Sequence, residues 1–307
     1  MSLFEPYAVA SEAPPAGAGT RVRLSFEVFP PKTPDAEAGL WRTICTLAPL
    51  DPTFVSVTYG AGGATRDRTH GLVKRIIEET ALSPAAHLTC VGASRYEVDA
   101  VVRDYWHAGV RHIVALRGDP PAGAGAFAAH PDGYPHATAL VAGIAAIAPF
   151  EISVACYPEK HPESPSLDFD LDVLKAKADA GAARAISQFF FDADAFLRFA
   201  ERARRAGVRI PVTPGILPIA SLAGAVRMAA SCGAALPTPV LQRFEGLQDD
   251  PDGQRKVGTE IAIETAERLA REGFVDQHLY ILNRSDLALD ICHALGLRAP
   301  QAREAVQ

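Results

Sequence analysis

The stretch RHIVALRGDPP, residues 111–121, decides the architecture. Its continuous, largely β-branched apolar run, 112–116, is too short for a helix and reads as a strand buried on both faces. Gly118, Pro120 and Pro121 then stop the strand and force a loop. An Arg–Gly–Asp set where a buried strand emerges serves stability poorly and ligand handling well. The same unit recurs in both directions along the chain: strand, polar residue at its carboxyl end, loop, helix.

Working outward, the pattern predicts strands at 22–29, 53–59, 86–91, 111–117, 151–157, 183–189, 209–216 and 277–282. A helix starts near Pro34, another covers roughly 66–81, and each later strand through the seventh is followed by a helical pattern. Between the seventh and eighth strands, residues 219–273 have room for two or more extra helices. Strands alternating with helices imply parallel βαβ units. Eight such units imply a single α/β domain, a closed (β/α)8 TIM barrel over 21–300, with a flexible arm at 1–20 and a short tail at 301–307. The competing fold, an open doubly wound sheet, would be expected to carry G-x-G-x-x-G after its first strand, and none is there. The Gly- and Ala-rich segment 120–135 reads either as a tolerated surface insertion or as a mobile active-site lid.

Composition narrows the function classes. The chain has 307 residues, 48% hydrophobic and 21% charged, which is ordinary for a globular protein with a large core. A net charge of −6 argues against a nucleic-acid or anionic-membrane surface. No apolar run approaches the ~18 residues of a membrane span, and no secretory signal is recognised, so a cytoplasmic location is expected. The five cysteines are scattered singly and read as small buried hydrophobes in a reducing compartment. No metal site is expected, because His107, His112, His130, His136 and His161 lack helical pairing with acids.

Period-two alternation separates two faces in each strand. Glu27 shares a face with Ser25 and Arg23, against Val22, Leu24, Phe26 and Val28. Ser56 and Thr58, His87 and Thr89, and Ser153 and Tyr157 occupy the corresponding faces of the next strands. The apolar face should meet the helices, and the polar face should line the barrel interior near its mouth, where barrel active sites sit. Glu27, walled by Phe26, Phe29 and two prolines, is expected to have its charged form disfavoured by desolvation, which suits a general acid. The alternative for Glu27 is a solvated or ion-paired carboxylate at a strand end.

The segments SFEVFPPKT (25–33), FVSVTYGAGG (54–63), RDRTH (66–70), HLTC (87–90), HIVALRGDPP (112–121), YPEKHPE (157–163), QFFFD (188–192), PGILP (214–218) and LNR (282–284) closely resemble the methylenetetrahydrofolate reductases. The resemblance covers residues 21–297 and is that of the catalytic barrel in its short bacterial form. It implies an FAD-dependent reduction of 5,10-methylenetetrahydrofolate to 5-methyltetrahydrofolate, with NADH or NADPH as hydride source, feeding methionine synthesis. Glu27 then matches the acid that protonates the folate as its imidazolidine ring opens. Asp119 matches an aspartate beside flavin and folate, where a negative charge stabilises the iminium cation; its bland alternative is a turn residue. Gln188 matches a pterin-binding glutamine. Arg284 matches a guanidinium for the folate's glutamate tail, with a helix-start ion pair as the alternative. Tyr280 and Met228 match further substrate contacts. Flavin contacts fall on Thr58, His87, Leu116, Arg117, Gly118, Asp119, His136, Tyr157, His161 and Lys177, with Arg117 and Lys177 expected to meet the pyrophosphate.

The chain also departs from that pattern. His136, with Tyr134 nearby, stands where relatives carry a flavin-contacting Tyr; Val173 and Ala176 replace an Asn and an Arg; Met228 replaces a stacking aromatic. FAD binding is therefore expected to be weakened. Two other readings stay open: the same reduction by direct hydride transfer from NADH without bound flavin, and an inactive folate- or flavin-binding barrel. Homo-oligomer formation also stays open.

Overall fold

Strand β4 (His112–Leu116), the decisive run, lies between β3 (Pro84–Thr89) and β5 (Glu151–Cys156) in an all-parallel sheet. The computed structural model describes residues 22–59, 66–119 and 127–299. The arm 1–20, the turn 60–63, residues 120–126 of the lid segment and the tail 301–307 lie outside the described residues. β1 (Arg23–Val28) pairs with β2 (Val55–Val57) on one side and with β9 (Asp276–Tyr280) on the other. β6 (Arg184–Ser187) continues the sheet beyond β5 and is paired by β7 (Val212–Thr213).

The expected seventh strand, 209–216, is broken. Pro214 has no N–H to donate and separates β7 from β8 (Gly215–Ile216), and β8 pairs with β9 rather than with β6. The strand order β7-β6-β5-β4-β3-β2-β1-β9-β8 thus closes into a ring through the two halves of one interrupted strand. The Pro214 carbonyl still serves the ring, accepting from the His278 N–H at 2.9 Å. The other strands stand where the alternation placed them with trimmed ends, except that β3 begins two residues early, at Pro84, and β9 one residue early, at Asp276.

Helices α1 (Pro34–Leu47), α2 (Arg66–Glu79), α3 (Arg95–His107), α4 (Ala137–Ile147), α5 (Leu167–Asp179) and α6 (Ala193–Arg205) follow β1 to β6 in turn. Three more, α7 (Leu222–Cys232), α8 (Thr238–Gln242) and α9 (Pro251–Arg271), fill the stretch before β9, and α10 (Ser285–Ala294) follows it. Their starts are written locally. Thr33, Ser94, Ser166, Asp192, Ser221 and Asp250 each accept a backbone N–H at a helix N-cap, and Ser94 with Glu97 makes a reciprocal capping box. No helix among the described residues is long and apolar enough to cross a membrane.

The two strand faces separate as the alternation requires. Leu24, Phe26, Val28, Val57, Leu88, Ile113 and Val154 pack into the main core with the helices. A second, smaller cluster inside the ring holds Phe54, Ala85, Val114 and Ile186. Sharing that interior are buried Ser25, Ser56, His87, His112, Ser153 and His278. His112 Nε2 lies 2.7 Å from Ser153 Oγ, and Phe54 meets His112 edge-on and stacks on His278.

Burial, aided by the Arg184 charge, pushes the His112 imidazole down to about 3 from its usual 6.5. It stays neutral in the fold while the unfolded chain takes up a proton as pH falls below 6.5. Stability is therefore lost progressively between about pH 6.5 and pH 3, by at most ~1.4 kcal/mol per pH unit for this group. His112→Asn, which removes the titrating ring, should flatten the fall of the urea midpoint between pH 6.5 and 4. An unchanged slope in the variant would assign the acid sensitivity elsewhere.

Candidate active site

Parallel pairing sets neighbouring residues on one face, and the register builds the mouth layer by layer. Glu27 is directly paired with Ser56 on β2 and with Tyr280 on β9. One step deeper, Ser25 is paired with His278. Ser25 Oγ lies 2.7 Å from His278 Nδ1, which turns Nε2 of that ring towards Glu27 Oε2 at 3.8 Å. From β3, His87 Nε2 approaches the same oxygen at 3.4 Å. Tyr280 donates its hydroxyl to the Ser187 carbonyl at 2.7 Å, and the Gly215 N–H donates to Ser187 Oγ at 2.9 Å. The acid is thus held between two imidazoles at the carboxyl ends of β1, β3 and β9.

This corrects the expected surroundings of Glu27. Phe26 points into the outer core, and Phe29 is 43% exposed, so neither walls the carboxyl. Burial pushes its acidity towards the neutral form, yet the imidazoles of His278 and His87 outweigh burial and hold the carboxyl below its usual range. The same burial pulls His87 down, with Glu27 opposing. Burial lifts the Tyr280 phenol far above its usual range, and the charge of Glu27 adds to it. His278 escaped the sequence reading, which had Ser25 on the Glu27 face but not its partner, although the alternation from Tyr280 puts His278 on the interior face.

Residues 116–119 end β4 at the same mouth. Gly118 has φ +84°, and a Cβ there would meet Val91 Cγ1 at 2.6 Å and Thr89 Cβ at 2.8 Å, so the turn accepts glycine alone. Leu116 is half-buried beside the interior cluster. Asp119 is exposed, and its charge adds to burial in raising the Tyr157 phenol. Tyr157 meets His161 edge-on at 4.7 Å. Thr58, half-buried just beyond β2, donates its N–H to the Val28 carbonyl at 2.9 Å.

Several expected flavin contacts are committed to the protein itself. Arg117 pairs with Glu163 at 2.7 Å and lies over the Phe127 ring. Lys177 is not a free cation: it is buried, its Nζ donates to the Ala155 carbonyl at 2.9 Å, and burial pulls its ammonium below the usual lysine range. His136 is the N-cap of α4, accepting from the Ala139 N–H at 3.2 Å, and Tyr134 is buried with its hydroxyl on Asp99 at 2.6 Å. Val173 is half-buried and Ala176 exposed on α5.

On the substrate side, Gln188 is half-buried and its Oε1 accepts from the Phe189 N–H at 2.9 Å. Met228 packs against a cluster that holds Phe189, Phe191 and Leu217. Arg284 pairs with Asp286 at 3.1 Å, the helix-start ion pair that was its alternative reading, and its side chain remains 39% exposed.

The mouth carries unmet hydrogen-bonding capacity. Thr89 Oγ1 is buried with no hydrogen-bond partner among the described residues, and buried Ser56 Oγ and His87 Nε2 have only the Glu27 carboxyl beside them, without a well-formed hydrogen bond. These are hydrogen-bonding groups that a heteroatom-bearing ligand at the mouth could satisfy. Fold and mouth define a (β/α)8-barrel enzyme whose working end centres on one carboxyl and two imidazoles.

The sequence profile described as methylenetetrahydrofolate reductase matches residues 16–296. The chain is 47% identical over 278 residues to 5,10-methylenetetrahydrofolate reductase of Escherichia coli K12, covering 91% of this chain and 92% of that one. It is 47% identical over 283 residues to the enzyme of Pectobacterium carotovorum, covering 92% and 93%. The chain belongs to the methylenetetrahydrofolate reductase family, and it is an oxidoreductase. Among solved structures, a Clostridium thermocellum protein described as binding two copies of 5-methyl-5,6,7,8-tetrahydrofolic acid superposes with TM-score 0.60 at 11% identity, covering 90% of this chain and 95% of that one. Dihydropteroate synthase from Xanthomonas albilineans follows with TM-score 0.51 at 16% identity, covering 91% and 92%. These two likenesses speak for the barrel alone.

Proposed function

We propose that the chain reduces 5,10-methylenetetrahydrofolate to 5-methyltetrahydrofolate, with FAD at the barrel mouth and a reduced nicotinamide as hydride source. The observation that carries this reading is Glu27, set between His87 and His278 at the mouth of a barrel of this family. Opening the imidazolidine ring to the 5-iminium cation requires a proton on the departing nitrogen. Glu27 is the group placed to give it. The ligand-free carboxyl is held ionised by its imidazoles. Folate seated over the mouth removes water from that carboxyl and favours proton uptake. His278 Nε2, oriented by Ser25, faces the same carboxyl. Asp119, exposed at the end of β4, stabilises the cation once formed. Gln188 orients the pterin, and Arg284 exchanges Asp286 for the glutamate tail.

FAD supplies the hydride relay between nicotinamide and folate. His87, Thr89, Gly118 and Tyr157 would hold its ring. Its phosphate end is thinly served: Lys177 is spent on Ala155, Arg117 must first leave Glu163, and Val173 and Ala176 offer nothing polar. Each hydrogen bond to a charged group is worth about 1.5–3 kcal/mol, so two absent contacts weaken binding by ~100-fold or more. The purified chain should lose FAD on dialysis and recover methylenetetrahydrofolate-dependent NADH oxidation when FAD returns. Ala176→Arg should tighten FAD in a fluorescence titration. The committed Lys177 and Arg117 also favour a second reading, direct hydride transfer without flavin, which turnover in a colourless, FAD-free preparation would establish.

A further inference from the structure

The loop between β9 and α10 contains two consecutive non-glycine residues in the left-handed region, Leu282 at φ +49° and Asn283 at φ +59°. Such geometry is costly for a leucine and persists only where surrounding contacts enforce it. The enforcing contacts come from Asn283. Its Oδ1 accepts from the Phe29 N–H at 2.9 Å, and its Nδ2 donates to the Phe29 carbonyl at 2.8 Å. Its own carbonyl accepts from Thr43 Oγ1 of α1 at 3.2 Å. Phe29 lies two residues beyond Glu27, and Arg284 directly follows Asn283. Arg284 occupies the N-cap of α10 without capping it, a position where Ser, Thr, Asp or Asn would serve the helix better.

We propose that Asn283 is a positioning residue: its amide fastens the β9–α10 loop to the end of the acid-bearing strand and so fixes where Arg284, the next residue, meets a folate's glutamate tail. The inference rests on the folate reading of the site. The backbone clamp reads no side chain of Phe29, so it transmits only the spacing between the two strand ends. Leu282 and Phe29, 38% and 43% exposed at the mouth, are carried by the same clamp.

The test uses Asn283→Gly, because glycine adopts φ +59° without strain and the loop can still fold. The full chain, supplied with FAD, is assayed with methylenetetrahydrofolate and with the corresponding methylenetetrahydropteroate, which lacks the glutamate. Asn283→Gly should raise KM for the folate about tenfold or more and leave KM for the pteroate within twofold of wild type. Arg284→Ala should show the same selective loss, and the double variant should be no worse than Arg284→Ala alone. Equal KM increases on both substrates would make Asn283 a merely structural residue and overturn the proposal. So would an Asn283→Gly enzyme that keeps wild-type KM while Arg284→Ala loses the tail. A wild-type chain with no folate turnover, or an Arg284→Ala enzyme indifferent to the tail, would instead overturn the underlying reading of the site.

Discussion

Glu27→Gln should cut folate reduction by roughly 10²- to 10⁴-fold, the contribution of a positioned general acid, while nicotinamide oxidation by added FAD stays within a few-fold of wild type. Glutamine keeps the size of the side chain and its place between His87 and His278, so the fold is unperturbed. What disappears is the proton. The hydride from nicotinamide needs no acid, which is why the two halves of the reaction part company in stopped-flow. The acidity of Glu27 adds a second signature. Because the free enzyme holds this carboxyl below its usual range, kcat/KM for the folate should fall as pH rises from the acid side, and the glutamine variant should lose that dependence. Equal damage to both half-reactions would return Glu27 to a structural role.

How much of this site the sequence discloses depends on how far apart in the chain the interacting groups lie. β4 is legible because its apolar run and its Gly–Pro stop are local. The interior layer of Ser25, Glu27, Ser56 and His87 is legible because alternation is a property of each strand alone. The electrostatics of Glu27 are not, since they are set by His278 on β9, brought alongside β1 only when the ring closes. Lys177 shows the same gap: a motif supplies the residue type, but the Ala155 carbonyl decides what its ammonium does. Asn283 sits inside a recognisable Leu–Asn–Arg motif, and nothing in that motif announces its clamp on Phe29. Motifs name the side chains; the tertiary partners assign their tasks.

The break at Pro214 is the sharpest case, and it carries the prediction with the largest effect on stability. Gly215 begins the short strand that joins β9 and closes the barrel. A Cβ at this position would press into the Ser187 carbonyl oxygen and lie 2.5 Å from Tyr280 Cε2. Both neighbours are fixed. Ser187 ends β6 and binds the Gly215 N–H through its hydroxyl, and Tyr280 is anchored on the Ser187 carbonyl. No flexible side-chain tip is available to yield, so Gly215→Ala must displace backbone or expel Tyr280 from beside Glu27. Overpacking of this kind costs ~3 kcal/mol or more, which should lower Tm by roughly 5 °C or more. Folate reduction should fall with it, because Tyr280 shares a layer with the acid. Gly71→Ala is the matched control: it lies in α2 with open space where its Cβ would stand, and it should leave Tm unchanged or slightly raised. A Gly215→Ala enzyme as stable as the Gly71 variant would mean that the ring does not close through β8 as tightly as these contacts require.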